Sequence, residues 1–406
     1  MNPRHPSRSR SRSRPPGPSR PALGFVLAFL AFLPSGARAE EPLAPRTPDG
    51  YASPQPGRVF TFPRDHGSHP EFRIEWWYIT GHLWDGSSNR FGFQSTFFRT
   101  AGPIRVPLTD LESVSPAAFG VDQLFLSHFA LLDVGSGRFR HREQLNREGW
   151  SAGASISNLH VWNGGGSLER LAPAGAGGRP SLRLKSRIRA EASWDLTLVP
   201  AKPLVVFGER GVSRKGASPT AASHYLTFSR LDVQGHLDVE GSSRAVHGIA
   251  WMDHEFSSSQ LSPGQTGWDW VSIQLQDGGE IMAYRLRHKD GSTDPYSTLA
   301  WVDRDGRVTH APADAFALEP RSRWKSPRSG AEYPVGLTLR ATDLATRQPI
   351  TLQLAPLALD QELPGAIGNV PYWEGSCRVL DAAGNDVGSA FVELTGYAGD
   401  LAGRLR

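Results

Sequence analysis

One twelve-residue segment occurs twice in the chain. Residues 75–86 (EWWYITGHLWDG) align without a gap to residues 267–278 (GWDWVSIQLQDG), and each copy ends in an Asp-Gly turn signal. Four weaker matches keep the same order along the chain: 127–139 with 297–308, 195–199 with 336–340, 225–235 with 372–384, and 246–253 with 387–393. Segments repeated in a fixed order are typical of duplication, so the sequence predicts one structural plan used twice.

The repeated plan is predicted to be β-structure. Short alternating or aromatic runs are separated by Asp-Gly and Asn-Gly turn signals, and long helical periodicity is absent. We therefore expect an all-β fold of two tandem antiparallel β-barrel domains, because barrel closure removes exposed strand edges and encloses an interior. The expected boundaries are a signal peptide at 1–39, a linker at 40–57, an N-terminal domain at 58–256, a linker at 257–266 and a C-terminal domain at 267–406.

The N-terminal residues have the composition of an export signal. Residues 1–39 carry seven arginines and no acid around the apolar run 22–33, and Ala37-Arg38-Ala39 forms a small-residue cleavage box. This pattern predicts a cleavable secretory signal peptide, with cleavage after Ala39, a secreted or periplasmic protein, and no integral membrane segment in the mature chain. Cleavage would leave 37 basic and 40 acidic residues, a net charge of −3, which argues against a nucleic-acid partner.

Alternation along the first repeated strand separates two faces. Glu75 and Trp77 share the more apolar face, which we expect to point into the barrel, and Asp269 occupies the corresponding face of the second copy. Trp76 and Tyr78 lie on the other face, where outward aromatic side chains can pack the two domains together. A purely structural role in packing is the alternative for the whole strand.

The segment 251–256 (WMDHEF) is the strongest candidate for chemistry. In a strand it places Trp251, Asp253 and Glu255 on one face and His254 on the other. Two carboxyls beside an indole can share a proton, and a carboxyl kept protonated near neutral pH can act as a general acid. The alternative is a domain-boundary turn whose acids bind backbone amides or pair with arginine.

Other patterns predict neither a metal site nor a cofactor site. Residues 149–153 (GWSAG) match the G-x-S-x-G pattern, but the flanking residues fit no strand–turn–helix and the match is attributed to chance. Residues 65–71 (DHGSHPE) offer metal-ligand types without helical spacing, and Cys377 is the only cysteine, so no disulfide or thiolate cage is expected. No dinucleotide or phosphate-loop motif is found, and no cofactor is predicted.

Several segments resemble the AttH/carotenoid-hydratase family of lipocalin-like proteins, whose members are often labelled predicted secreted hydrolases. The resemblance covers about 60–400 and rests on these segments: 75–83 (EWWYITGHL), 128–133 (HFALLD), 248–256 (GIAWMDHEF), 267–270 (GWDW), 372–375 (YWEG) and 391–397 (FVELTGY). It implies two lipocalin-like β-barrels packed together.

The resemblance also implies a class of activity. Carotenoid hydratases of this family add water across a terminal isoprenoid double bond without a redox cofactor, and their acidic and histidine motif corresponds to Asp253 and His254, with Tyr284 in the segment that follows. The chain differs from them in its secretory signal and in Glu255-Phe256, where an Asn-Trp pair is expected. It is therefore more similar to the secreted AttH-like branch, for which an ABC-type export system is the implied partner.

Two functions from different classes are consistent with these features. The first is an enzyme acting on an apolar isoprenoid, lipid or ester, with Asp253 or Glu255 as the acid and His254 orienting it. The second is a non-catalytic carrier or accessory protein that shields an apolar small-molecule ligand for a transporter. The candidate ligand-binding residues are Glu75, Trp77, Tyr78, His128, Trp251, Asp269 and Tyr284.

Overall fold

The computed structural model describes residues 42–102, 123–173, 179–343, 346–367, 370–399 and 401. The predicted signal peptide and its cleavage site after Ala39 lie outside these residues. Within them almost all regular structure is β, and the helices are two short 3₁₀ turns, Arg64–His66 and Ala313–Ala315. The all-β prediction is confirmed.

The first of two antiparallel sheets has thirteen strands. They are β1 (Ile74–Asp85), β2 (Arg90–Ala101), β3 (Gln123–Asp133), β4 (Arg138–Arg147), β5 (Ala152–Ala154), β6 (His160–Asn163), β7 (Gly166–Leu171), β8 (Ser181–Ile188), β9 (Ala192–Pro200), β10 (Val205–Phe207), β11 (Ser213–Arg214), β12 (Ala222–Val239) and β13 (Ser242–Ser259). Their order is β4-β3-β2-β1-β13-β12-β9-β8-β7-β6-β5, with β10 and β11 paired to β12.

The second sheet has ten strands. They are β14 (Gln265–Leu275), β15 (Glu280–His288), β16 (Thr298–Val302), β17 (Val308–Pro312), β18 (Phe316–Lys325), β19 (Glu332–Thr342), β20 (Pro349–Pro356), β21 (Glu362–Leu363), β22 (Tyr372–Leu380) and β23 (Asp386–Leu394). Their order is β17-β16-β15-β14-β23-β22-β20-β19-β18, with β21 paired to β22.

The two strand orders repeat one plan, as the duplication predicts. In each sheet the first strand pairs with the second on one side and with the last strand on the other, so β1 corresponds to β14 and β13 to β23. One of the five segment matches is wrong. Residues 195–199 lie in β9 and residues 336–340 in β19, but by position in the sheet β9 corresponds to β20. Short amphipathic strands resemble each other too closely for sequence alone to separate neighbours.

Each sheet surrounds its own apolar core, as in two tandem lipocalin-like barrels. Trp77 and Ile79 of β1 are buried in the first core, and Val271 and Ile273 of β14 are buried in the second. The opposite faces of these strands meet in a third cluster between the sheets, which includes Tyr78 and Trp270. Alternation therefore predicted correctly which side chains point inward and which join the two halves.

The segments flanking the first barrel differ from the predicted linkers. β13 continues to Ser259 and β14 begins at Gln265, so the connection between the sheets is shorter than the predicted 257–266. Tyr51, within the predicted linker 40–57, is buried with 5% of its surface exposed. The ends of the first barrel are therefore ordered parts of the fold. No helix in the described ranges is both long enough and apolar enough to cross a membrane.

Candidate functional site

A partly open cavity of about 120 Å³ lies between the two sheets. It is bounded by the outward faces of β1, β2, β12 and β13 on one side and of β14, β15 and β23 on the other. Its aromatic and polar lining includes Trp76, Tyr78, Phe98, Tyr225, Asp253, Glu255, Gln260, Trp268, Trp270, Tyr284 and Glu393. Aromatic rings with a few convergent polar groups are typical of small-molecule sites.

Aromatic contacts across the cavity come from corresponding strands. The rings of Tyr78 in β1 and Trp270 in β14 meet edge to face with centroids 5.1 Å apart. Trp251 of β13 packs against the same indole at 6.2 Å. These rings provide an apolar surface and exclude water from the polar groups beside them, which strengthens the electrostatic interactions of those groups.

Asp253 is a buried carboxyl on the first-barrel side of the cavity. It is 2% exposed, and burial raises its pKa to about 7, although hydrogen bonds from Thr227, Tyr225 and Trp251 act in the opposite direction. Thr227 Oγ1 and Trp251 Nε1 donate to Oδ1 at 2.6 and 2.7 Å, and Tyr225 donates to Oδ2 at 2.7 Å. The acid is therefore fixed in position and exchanges its proton near neutral pH.

Glu393 supplies a second carboxyl from the other barrel. Burial raises its pKa to about 7, and repulsion from Glu255 and Asp253 adds to the effect. Trp268 Nε1 donates to its Oε2 at 2.7 Å. Glu393 was not among the site residues expected from sequence, although the repeat aligned 387–393 with 246–253 and so made it the equivalent of Asp253. The strand pairing agrees with this equivalence. Asp253 pairs with Tyr78 in the β1–β13 ladder, and Glu393 pairs with Trp270 in the β14–β23 ladder.

Glu255 differs from these two acids because a cation neutralises it. Lys215 Nζ lies 2.9 Å from Glu255 Oε1, and its side chain is 1% exposed. The same ammonium lies 4.1 Å from the ring centroid of Tyr284 and 4.9 Å from that of Tyr225. Glu255 therefore has a different environment from Asp253, because Glu255 faces the Lys215 cation whereas Asp253 faces neutral hydrogen-bond donors.

A fourth carboxyl, that of Glu374, lies behind Tyr78. The Tyr78 hydroxyl donates to Glu374 Oε1 at 2.6 Å, and burial together with repulsion from Glu393 raises the pKa of Glu374 well above its usual range. His128 is near this group, because its Nδ1 lies 2.7 Å from the Tyr372 hydroxyl and Gln94 Nε2 approaches both Tyr372 and Glu374. His128 therefore belongs to the contact between the barrels, beside the cavity and outside its lining.

His254 does not orient Asp253, contrary to the expectation from sequence. Neighbouring strand residues point to opposite faces. His254 therefore points into the first barrel, where its ring stacks on Trp77 at 4.9 Å and its Nε2 lies 2.8 Å from Glu75 Oε1. Trp77 likewise lines the barrel core and not the cavity. Tyr78, Trp251 and Tyr284 lie in the cluster between the sheets. Asp253 lies beside them, because it pairs with Tyr78 in the β1–β13 ladder.

Glu75 reaches the edge of the cavity, but its carboxylate is fully engaged in a buried network. Arg99 Nε donates to Oε2 at 2.9 Å, and His69 Nδ1 lies 2.9 Å from Oε1. His69 Nε2 in turn lies 3.0 Å from Asp65 Oδ1. Burial favours neutral forms, yet the Arg99 charge and the two histidines hold the pKa of Glu75 well below its usual range.

The same network contains ligand types for a metal ion. His69, Glu75 and His254 place three ligand atoms within 4.8 Å of one another. His69 Nδ1 and His254 Nε2 both contact Glu75 Oε1, and the Arg99 guanidinium bound to Glu75 disfavours a divalent cation there. The donor set is therefore better satisfied as an ion-pair network, which we assign to the stability of the first barrel.

Asp269 and the G-x-S-x-G segment lie away from the cavity. Inside the second barrel Asp269 accepts hydrogen bonds from Arg285, Arg287 and Tyr397, and its ligand-binding role stays a prediction. Ser151 precedes the short strand Ala152–Ala154, and no helix follows it. A nucleophile elbow needs a helix after its serine, so the strand after Ser151 does not have the local structure of an elbow.

Comparisons with known proteins agree with this architecture. The sequence profile of the AttH-like family matches residues 53–397. A solved AttH protein from Nitrosomonas europaea is similar over 87% of this chain and 100% of its own, with 34% identity and a TM-score of 0.71. No curated protein sequence matches the chain.

A more distant structure shares the fold. Kievitone hydratase from Nectria haematococca is similar over 87% of this chain and 98% of its own, with 14% identity and a TM-score of 0.60. At this identity the likeness shows the fold alone. The family match over most of the chain and the Nitrosomonas relative carry the assignment: the chain belongs to the AttH-like family of lipocalin-like proteins.

Proposed function

We propose that the cavity between the two barrels binds an apolar small molecule and that the protein adds water to it by acid catalysis, with Asp253 as the general acid. The observation that carries this proposal is the position of Asp253, a carboxyl with a pKa of about 7 beside the Tyr78 and Trp270 rings. At neutral pH about half of such a carboxyl is protonated, which is the condition for general acid catalysis.

The residues support a balanced sequence of steps. Protonated Asp253 transfers its proton to one carbon of an alkene, directly or through the Tyr225 hydroxyl that it binds at 2.7 Å. The carbocation formed on the neighbouring carbon is stabilised by the faces of Trp270 and Tyr78. Water then adds to that carbon, and the proton released returns to the Asp253 carboxylate. Ester hydrolysis would use the same acid on the leaving oxygen.

Kievitone hydratase supports the proposal by analogy, because its name describes a hydratase and its fold is the same. We further propose that the N-terminal 39 residues direct export and that an ABC-type export system is the partner. Both parts of this proposal rest on the sequence.

A carrier without catalysis is the second candidate. Both Asp253 oxygens are already hydrogen-bonded within the protein, to Thr227, Trp251 and Tyr225. A carboxyl that only fixes strand β13 against its neighbours would make the same bonds. In this case the aromatic cavity shields an apolar ligand without changing it.

Asp253→Asn separates the two candidates. With farnesol as the test alkene in H₂¹⁸O, we expect the wild type to form a labelled diol detectable by mass spectrometry. The asparagine variant is expected to lose about 10²–10⁴-fold in rate, because it keeps the shape of the site but carries no transferable proton. Farnesol binding and Tm should stay near those of the wild type. Binding without turnover in the wild type would support the carrier instead, and full turnover in the variant would contradict the role of Asp253 as the acid.

The pH dependence provides an independent check. The acid must be protonated to act, so the rate should be constant below the Asp253 pKa of about 7 and fall about tenfold per pH unit above it. The measurement is kcat for farnesol hydration between pH 5 and 9. A rate that rises with pH would show that the ionised carboxylate is the active form and would contradict the assignment of the acid.

A further inference from the structure

Gln260 lines the cavity and follows directly after β13 in the connection between the sheets. Its side chain is 2% exposed, and the amide Nε2 is buried without a hydrogen-bond partner in the described part of the chain. Burying an amide nitrogen without a partner is costly, so native proteins rarely leave one unless another molecule supplies the acceptor. The Gln260 amide therefore indicates that a bound ligand supplies a hydrogen-bond acceptor.

Nearby cavity groups strengthen this reading. The Tyr284 hydroxyl and the carboxyls of Glu255 and Glu393 line the same cavity as Gln260, and burial raises the pKa of Tyr284. Trp268 Nε1 donates to Glu393 Oε2. The cavity therefore offers an amide, a phenol and carboxyl oxygens beside an aromatic lining that includes Trp76 and Phe98.

We propose that the cavity recognises an oxygen-bearing end group, a carbonyl or a hydroxyl, through the Gln260 amide. The ligand is then an oxygenated apolar molecule and not a pure hydrocarbon. The unpartnered atom is the donor Nε2, which can bind a carbonyl oxygen or a hydroxyl oxygen because both accept hydrogen bonds. This inference rests on the proposed apolar-ligand site and specifies its ligand class.

The test compares two probes with the same carbon number. Farnesol carries a hydroxyl and farnesene lacks it, and both are measured by displacement of the neutral dye N-phenyl-1-naphthylamine. Wild-type protein is expected to bind farnesol about tenfold more tightly, since one buried hydrogen bond is worth roughly one factor of ten. Gln260→Leu should remove this preference and leave the farnesene affinity within about twofold. Gln276→Leu, an exposed glutamine bonded to Asp386 O, is the matched control and should keep it.

A second readout does not depend on a ligand. Because the leucine variant removes an unpartnered buried amide, its Tm without ligand is expected to rise by roughly 1–3 °C. Gln260→Met, unbranched and of similar length, repeats the measurement with little change of shape. A fall in Tm for both variants would show that the amide serves the fold, which would overturn the inference.

The binding outcomes separate this inference from the proposal beneath it. Equal wild-type affinity for the two probes, or a preference that survives in Gln260→Leu, overturns the oxygen-recognition role and leaves the apolar site standing. Failure of both probes and the dye to bind removes the apolar site and the inference together.

Discussion

Glu75→Gln is expected to lower the free energy of unfolding by about 3–5 kcal/mol, the cost of leaving buried charges without their counter-ion. Arg99 and His69 are both buried and both contact the Glu75 carboxylate at 2.9 Å. Glutamine keeps the volume but not the negative charge. Urea denaturation followed by tryptophan fluorescence measures the difference.

The control is an ion pair of the same type at the surface. Glu319 and Arg340 are 2.9 Å apart and about half exposed, so Glu319→Gln should cost less than about 1 kcal/mol. If the two variants were equally stable, the buried network would not contribute as we argue.

The stability difference between the wild type and Glu75→Gln is expected to depend on pH. The lowered pKa of Glu75 gives stability that is present above about pH 4.5 and lost as pH falls through the folded-state value. Burial lowers the pKa of His69, but hydrogen bonds to Asp65 and Glu75 outweigh it and raise the value, so its contribution is complete below about pH 6.5 and lost at higher pH. The gap between wild type and variant should therefore be widest between about pH 4.5 and 6.5.

Glu280→Gln is also expected to lower the free energy of unfolding by about 3–5 kcal/mol, because it weakens the contact between the barrels. Glu280 belongs to β15 of the second sheet and is buried, yet its partners come from the first half of the chain. Lys202 Nζ and Arg230 Nε each lie 2.6 Å from its carboxylate, and Ser229 donates at 3.1 Å. Loss of this charge leaves two cations facing a neutral side chain.

Calorimetry and limited proteolysis measure this effect. The variant should unfold at lower temperature and be cut sooner in the connection 260–264 than the wild type. Asp277→Asn is the matched control, because Asp277 lies in the same β14–β15 turn but accepts only from the backbone of Gly279. Equal cutting of both variants would place the effect in the turn and not in the contact between the barrels.

The faces of β1 were predictable because alternation depends only on neighbouring residues. Trp77 and Tyr78 lie on the sides that their sequence positions require. The partners of Asp253 were not predictable in the same way. Tyr225 and Thr227 reach it through the β12–β13 register, 28 and 26 residues away, and register is fixed by pairing across strands.

The duplication indicates a residue of the site as well as the fold. It aligned Asp253 with Glu393, but Glu393 lies in a segment (FVELTGY) that reads as an ordinary strand. Gln260 could not be found from sequence, because only the folded chain shows that its amide is buried without a partner.

The ladder pairs Tyr78–Asp253 and Trp270–Glu393 occupy equivalent positions in the two halves. Two separate copies of one barrel would have to carry identical residues at such positions, since both would come from the same gene segment. With both halves in one chain, a mutation on one side of the cavity is not copied to the other. The first half could therefore acquire the pair Tyr78–Asp253 while the second acquired Trp270–Glu393. Because the two sides of the cavity differ, a ligand with two different ends can be bound in a single orientation.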